Sequence, residues 1–161
     1  MQEIITDIDE LEIEEDTMSN KFLIFELDKQ EYAIDIKYVV DIINIQSFTR
    51  VPNCPDFICG ITNLRGKPIP IIDVRIRFGK SQQIYNDRTC IIAVELDGVS
   101  VGMVVDSVSE VITLEEDDVC LPPSFSQTVD TRFVEGIGKT ETGFKLILDC
   151  NAVLNENNPP L

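Results

Sequence analysis

The chain carries two copies of one pattern. Shifted by 69 residues, Glu26-Leu27-Asp28 falls on Glu95-Leu96-Asp97, Ala33 on Gly102, Val39 on Val108, Asp41 on Glu110 and Ile42-Ile43 on Val111-Ile112. Farther along, a shift of 76 puts Phe57-Ile58 on Phe133-Val134, Gly60-Ile61 on Gly136-Ile137 and Ile71-Ile72-Asp73 on Ile147-Leu148-Asp149. The offset grows by seven (76 − 69), so the second copy has the longer middle loop, which matches the polar, proline-bearing stretch EEDDVCLPPSFSQTVDTR. Self-similarity at a near-fixed period marks a duplicated structural unit. The copies span roughly 20–80 and 88–153, about 60 residues each.

Each copy opens on a hairpin signal. KFLIFELD and EYAIDI are runs of aliphatic, aromatic and β-branched residues parted by a polar turn. CIIAVELDGVSVGMVVD repeats the arrangement with Asp97-Gly98 at the turn, a pair that tolerates positive φ. The segments KYVVDIIN and SVSEVITL that follow are too short for periodicity to separate a helical turn from a short strand. A second hairpin ends each copy. After it come DVRIRFG and DCNAVLNE, which read as short helices capped by Asp73 and Asp149. Four or five short twisted strands close more readily into a small barrel than they persist as a flat sheet, because closure removes free edges. These signals predict a mainly β fold of two barrels, one over about 20–80 and one over about 88–153. Each barrel is small for independent stability, so the two should pack together, with a groove between them as the natural binding place.

Composition removes whole classes of function. The chain has 161 residues, 43% hydrophobic and 26% charged, which suits a globular protein. Thirteen Lys and Arg stand against 29 Asp and Glu, a net charge of −16. Binding to nucleic acid or anionic lipid needs clustered cations to neutralise phosphate, so neither is expected. No apolar run approaches the ~18 residues of a membrane span, and the acidic N-terminus lacks the basic start of a secretory signal. Residues 1–19 hold eight acidic side chains and no basic one, and read as a flexible acidic arm. The domain proper then covers 20–153, and 154–161, with its Pro159-Pro160, reads as a frayed tail. The five cysteines (Cys54, Cys59, Cys90, Cys120, Cys150) are scattered and read as reduced thiols of a cytoplasmic protein. No histidine accompanies them, so neither a metal site nor a cofactor is expected.

Catalysis is poorly supplied. Histidine, the usual general base at neutral pH, is absent, as are a nucleophile elbow, a phosphate loop and a dinucleotide fingerprint. Glu115-Glu116 and Asp117-Asp118 read as solvated loop carboxylates. A hydrolase using paired carboxylates is the enzymatic alternative, but nothing sets two of them across a cleft, so a non-enzyme is expected. A binding surface is better supported. In TNLRGKPIPIIDVRIRFGK, five basic residues fall between Arg65 and Lys80 of an acidic protein. Gly66 permits a tight turn and Pro68 restricts the returning strand. Arg65 then stands at a barrel rim, where its planar fork suits the carboxylate or carbonyl groups of a partner. A solvated arginine, or an internal ion pair with Asp41 or Asp73, is the bland alternative. The second copy keeps the hairpin as GIGKTETGFKLILD without the arginine or the prolines, so the special surface belongs to one copy. Arg75, Arg77 and Lys80 read as the solvated face of a short helix.

The segments FLIFELDKQEYAIDIKYVVDI, CPDFICGITNLRGKPIPIIDVRIRFG, VGMVVDSVSEV and FVEGIGKTETGFKLILD resemble the CheW family of chemotaxis coupling proteins, from about Lys21 to Val153. The most specific of them is the run G-x-x-N-x-R-G-x-x-x-P-x-x-D-x-R, here Gly60, Asn63, Arg65, Gly66, Pro70, Asp73 and Arg75. The resemblance implies two packed SH3-like five-stranded β barrels with short helices. It implies a noncatalytic adaptor that joins the cytoplasmic tips of chemoreceptors (methyl-accepting chemotaxis proteins) to the histidine kinase CheA, whose regulatory domain shares the fold. It further implies a cytoplasmic protein recruited to membrane receptor arrays without membrane insertion. By the same resemblance the receptor- and kinase-binding positions are Val39, Asp41, Gly60, Arg65, Ile91 and Gly102, about a groove between the barrels. Val39 and Ile91 would supply apolar contact, Arg65 hydrogen bonds and charge, and Gly60 and Gly102 close backbone packing. The acidic arm departs from the shared pattern, and the end of the chain soon after the second barrel is expected to exclude a receiver domain of the CheV kind or a complete kinase. A CheW-like scaffold of a different receptor–kinase pathway, such as one governing surface motility, stays open. Nucleic-acid recognition by a small barrel is opposed by the charge and the scarcity of exposed aromatics.

Overall fold

The computed structural model describes residues 20–121 and 132–155. The expected arm (1–19), part of the long second-copy loop (122–131) and residues 156–161 of the expected tail lie outside the described residues. The strands are β1 (Lys21–Leu27), β2 (Gln30–Asp35), β3 (Val39–Asn44), β4 (Ile58–Leu64), β5 (Lys67–Asp73), β6 (Cys90–Leu96), β7 (Val99–Val105), β8 (Ser107–Thr113), β9 (Val119–Cys120), β10 (Val134–Thr140) and β11 (Gly143–Leu148). Two short helices, α1 (Val74–Arg77) and α2 (Cys150–Leu154), follow β5 and β11. The two segments that periodicity left open are both strands, β3 and β8, and each pairs antiparallel with the first strand of the other copy's hairpin.

The strands form two sheets, ordered β8-β1-β2-β11-β10-β9 and β3-β6-β7-β5-β4. This gives the mainly β fold of two packed subdomains that was expected, but not the expected division of the chain. The opening hairpin of the first copy, β1–β2, lies between β8 and β11 of the second. The second copy's hairpin, β6–β7, lies between β3 and β5 of the first. One subdomain therefore runs continuously from β3 to β7, and the other combines β1–β2 with β8–β11, in place of one barrel over 20–80 and another over 88–153. The exchange is sealed by parallel pairing of β2 with β11 and of β7 with β5. Local alternation looks the same whether or not the hairpins are exchanged, so the repeat reveals the shared ancestry of the strands and not their neighbours.

Successive side chains on a strand face opposite sides, and here both sides are used. Leu23, Phe25 and Leu27 of β1, with Ile92 and Val94 of β6, enter a central cluster shared by the two subdomains. From the same strands Ile24 packs with Ala33, Leu114 and Ile147 inside one subdomain, and Ile91 packs with Ile69, Ile71 and Val104 inside the other. A sheet covered on both faces needs near-continuous apolar strands, which explains KFLIF and CIIAV.

The capping expectation holds. The Asp73 carboxylate accepts from the backbone N–H of Arg75 and Ile76, and that of Asp149 from Ala152. The solvated helix face does not form. Arg75 and Arg77 are buried, because α1 sits at the centre of the molecule, with Val74 and Phe78 in the shared cluster. Arg77 Nε donates to the Val153 carbonyl (2.9 Å), Nη2 donates to the carbonyls of Asn155 (2.6 Å) and Ala152 (3.3 Å), and the guanidinium lies over the rings of Phe57 and Phe133. Lys80 stays near the surface, paired with Asp28 at 3.3 Å. All five cysteines are free thiols, and burial pushes the Cys150 thiol up to about 12.

Candidate functional site

The six positions singled out in the sequence come from four strands and a turn, and the fold gathers them on a single sheet. Val39 and Asp41 lie on β3, Ile91 on β6, Gly102 on β7, Gly60 on β4, and Arg65 in the β4–β5 turn. Three of them share one cross-strand row: Asp41 faces Ala93, Ala93 faces Gly102, Gly102 faces Ile71, and Ile71 faces Gly60.

The Arg65 rim is set by turn chemistry. Arg65 and Gly66 have φ of 54° and 79°, both left-handed, as a two-residue hairpin turn requires to match the twist of its strands. The turn carries Arg65 back to the opposite end of the sheet, where Nη2 lies 3.0 Å from Asp41 Oδ2. Since β3 and β4 end the strand order, this ion pair links the two margins of the sheet across its rim. Of the two internal partners considered for Arg65, the structure selects Asp41. Asp73 is buried and occupied by its helix amides and by the Tyr85 hydroxyl, which donates at 2.8 Å. The Arg65 side chain is nevertheless 69% exposed, so one bond to Asp41 leaves most of its five-donor fork for a second acceptor.

The glycines act by close approach. A Cβ on Gly60 would stand 2.2 Å from the carbonyl oxygen of Thr49, whose backbone bridges to Ile61. A Cβ on Gly102 would stand 2.6 Å from Ile71 Cδ1 and 2.8 Å from Ile91 Cγ2. Ile91 is therefore a wall and not a contact. It is 0% exposed and lines the interior of its subdomain, which corrects its expected role as an apolar contact for a partner. Val39 is half-buried and packs against the central cluster. The exposed aliphatics are its neighbours Val40 and Ile42 on β3, with Ile61 on β4. Along β3 burial alternates strictly, with Val39, Asp41 and Ile43 half-buried and Val40, Ile42 and Asn44 exposed. In VVDII every position but one is apolar, so alternation offered no way to foresee it.

The six do not line the cavity around Arg75 between the subdomains. That cavity, about 220 Å³, is walled by Asp28, Asp73, Arg75, Tyr85 and Asp106 among others. Arg75 donates there to Asp106 (2.7 Å), to Asp28 (3.4 Å) and to the Ser81 carbonyl (3.0 Å). The expected inter-barrel placement is replaced by one sheet and its rim. Among the described residues, no three His, Cys, Asp or Glu are grouped to hold a metal ion, and no helix is long and apolar enough to cross a membrane.

A chain with this duplicated pair of β subdomains matches a known family. Its model, described as a CheW-like domain, matches residues 21–158. The chain belongs to the CheW-like domain family. Chemotaxis protein CheW of Klebsiella aerogenes is 36% identical to it over 146 residues, 91% of this chain and 88% of that protein. The Bacillus subtilis chemotaxis protein CheW is 36% identical over 138 residues, 86% of this chain and 88% of that protein. The crystal structure of the scaffolding protein TtCheW from Thermoanaerobacter tengcongensis matches with a TM-score of 0.79 at 38% identity, covering 88% of this chain and 97% of that one. The CheW-like match thus spans both subdomains, including the exchanged hairpins and the helix caps.

Proposed function

We propose that this CheW-family chain is a noncatalytic adaptor of chemotaxis signalling that couples the cytoplasmic tips of chemoreceptors to the histidine kinase CheA. It would act in the cytoplasm at membrane receptor arrays. The observation that carries this is the family match across 21–158, supported by 36% identity to chemotaxis proteins over most of the chain. The chemistry of the site fits an adaptor. It offers a pre-shaped rim with an exposed, half-committed guanidinium beside exposed aliphatics. In this proposal Arg65, Asp41, Val40 and Ile42 meet a partner, while Val39, Gly60, Ile91 and Gly102 hold that surface in shape.

The test is a kinase-activation assay with purified receptor fragments, CheA and this protein. Kinase output should rise only when all three are present, and the protein should cosediment with receptor and kinase. Absence of binding to either at tens of micromolar would sink the proposal.

A further inference from the structure

The duplication lets one half of the molecule serve as a reference for the other. Asp28 and Asp97 are repeat equivalents (28 + 69 = 97), each in the turn of an opening hairpin and each with φ of 53°. Asp73 and Asp149 are equivalents too (73 + 76 = 149), each capping a short helix. Each pair frames a groove where the hairpin turn of one subdomain meets the helix of the other.

The first groove is filled from within. The Arg75 side chain, 8% exposed, pairs with Asp28 and Asp106, and Lys80 adds a second cation at Asp28. In the second groove those cations are missing. The equivalent of Arg75 is Asn151 (75 + 76 = 151), which is exposed, and the equivalent of Lys80 is Glu156 (80 + 76 = 156), outside the described residues. Asp97 forms none of the ion pairs or side-chain hydrogen bonds found among the described residues. The groove measures about 490 Å³ and is walled by Leu96, Asp97, Val99, Asp149 and Leu154 among others, with Val99 open to water. Its surroundings are acidic. Burial and then the Asp149 and Asp35 carboxylates hold the neighbouring Glu135 carboxyl above its ordinary range, with only Lys37 opposing them. The segments 1–19, 122–131 and 156–161 contain no Lys or Arg.

We propose that this groove receives an arginine side chain from a second protein, its guanidinium taking at Asp97 the place that Arg75 takes at Asp28. The aliphatic stem would lie along Val99 and Leu154, as long cationic side chains cover apolar surface while their heads stay polar. A guanidinium suits the site better than an ammonium, because its planar fork can engage one carboxylate and a neighbouring acceptor together. The partner is thus a protein segment with an arginine beside an aliphatic residue. This inference rests on the groove alone and stands whether or not that partner is a receptor or a kinase.

The test is a titration of the isotope-labelled full chain with the peptide acetyl-Leu-Arg-Leu-amide, followed by amide NMR shifts at low salt. Acetyl-Leu-Gln-Leu-amide serves as the neutral control. Shifts should concentrate on Leu96–Val99 and Cys150–Asn155, and the control peptide should bind far more weakly. Asp97→Asn, which keeps a residue tolerant of positive φ at the turn, should weaken binding about fivefold or more. Asn151→Arg, which refills the groove from within as Arg75 does, should weaken it similarly. Shifts spread over the whole acidic surface, equal binding of the control, or undiminished binding by either variant would overturn the proposal.

Discussion

Arg77 donates its Nε hydrogen to the carbonyl of Val153, 2.9 Å away, and the two residues are repeat equivalents separated by the offset of 76. Each is the fourth residue after a capping aspartate, Asp73 or Asp149. The two rings beneath the guanidinium, Phe57 and Phe133, are likewise equivalents (57 + 76 = 133), at 4.2 and 5.0 Å from it. A contact between equivalent positions lies where the two halves of a duplicated structure meet. One space there cannot hold two arginines, so the copies must differ, and the first supplies a cation that caps the helix of the second.

Replacing Arg77 should therefore hurt stability more than any surface charge. Arg77→Leu removes bonds to three helix-end carbonyls and both ring contacts, at a cost of about 2–4 kcal/mol. Arg77→Lys should recover little, since an ammonium cannot reproduce the fork. Urea midpoints for the three proteins decide it. A lysine variant as stable as the parent would contradict a directional role for the guanidinium.

Arg65 calls for the opposite expectation. Its pair with Asp41 is exposed on the arginine side, and such pairs contribute roughly 0–1 kcal/mol. Arg65→Glu should keep a β-rich circular dichroism spectrum and shift stability by no more than about 1 kcal/mol, while receptor- and CheA-dependent kinase activation falls. Unchanged activation by a folded variant would show that the rim is not the partner surface.

At Gly102 the obstacle to a side chain is itself side chain, chiefly Ile71 Cδ1 at 2.6 Å. Gly102→Ala should cost about 1–3 kcal/mol through overpacking. Ile71→Val deletes that methyl, and the double variant should be more stable than additivity allows. At Gly60 the obstacle is the Thr49 backbone oxygen, so no side-chain trimming should rescue Gly60→Ala. Additive thermal shifts at the 102–71 pair would mean that the contact is not what limits position 102.

The Asp28 turn makes part of the stability pH-dependent. The hydrogen bond from Lys80, followed by the charges of Lys80 and Arg75 and partly opposed by desolvation, holds the Asp28 carboxyl below its ordinary range. A depressed acid stabilises the fold fully above its unfolded pKa, about 3.9, and that contribution disappears as pH falls through the lower folded value. Urea midpoints of the parent and Asp28→Asn should differ most near neutrality and converge in acid below about pH 4. A gap that stays constant down to acid unfolding would exclude the charge as its source.

Much of the fold was legible in the chain because it depends on residues a few positions apart. The turn at Asp97-Gly98, the helix caps at Asp73 and Asp149 and the rim turn at Arg65-Gly66 all rest on short-range backbone chemistry. The site was legible only in part. Asp41, Arg65, Gly60 and Gly102 come together on one sheet and its rim, away from the groove between barrels that the family resemblance implied. Ile91 is buried and Val39 half-buried, and the exposed Val40 and Ile42 went unmarked, because apolar residues fill both faces of these strands and leave no alternation in the sequence to sort inward from outward. Arg75 and Arg77 look like surface charge in any local window. They are buried because carbonyls, carboxylates and rings that satisfy them arrive from residues far along the chain.

Local patterning was enough to set the hairpins, the turns, the caps and the repeat, since each rests on near neighbours in the chain, while β3 and β8 stayed undecided. The tertiary structure alone decided that the hairpins change places between the copies, that Arg77 meets its own equivalent, and that one groove is filled by Arg75 while its counterpart at Asp97 holds no such side chain among the described residues. Those outcomes depend on which surfaces come to lie against each other, and two identical local patterns carry no record of that.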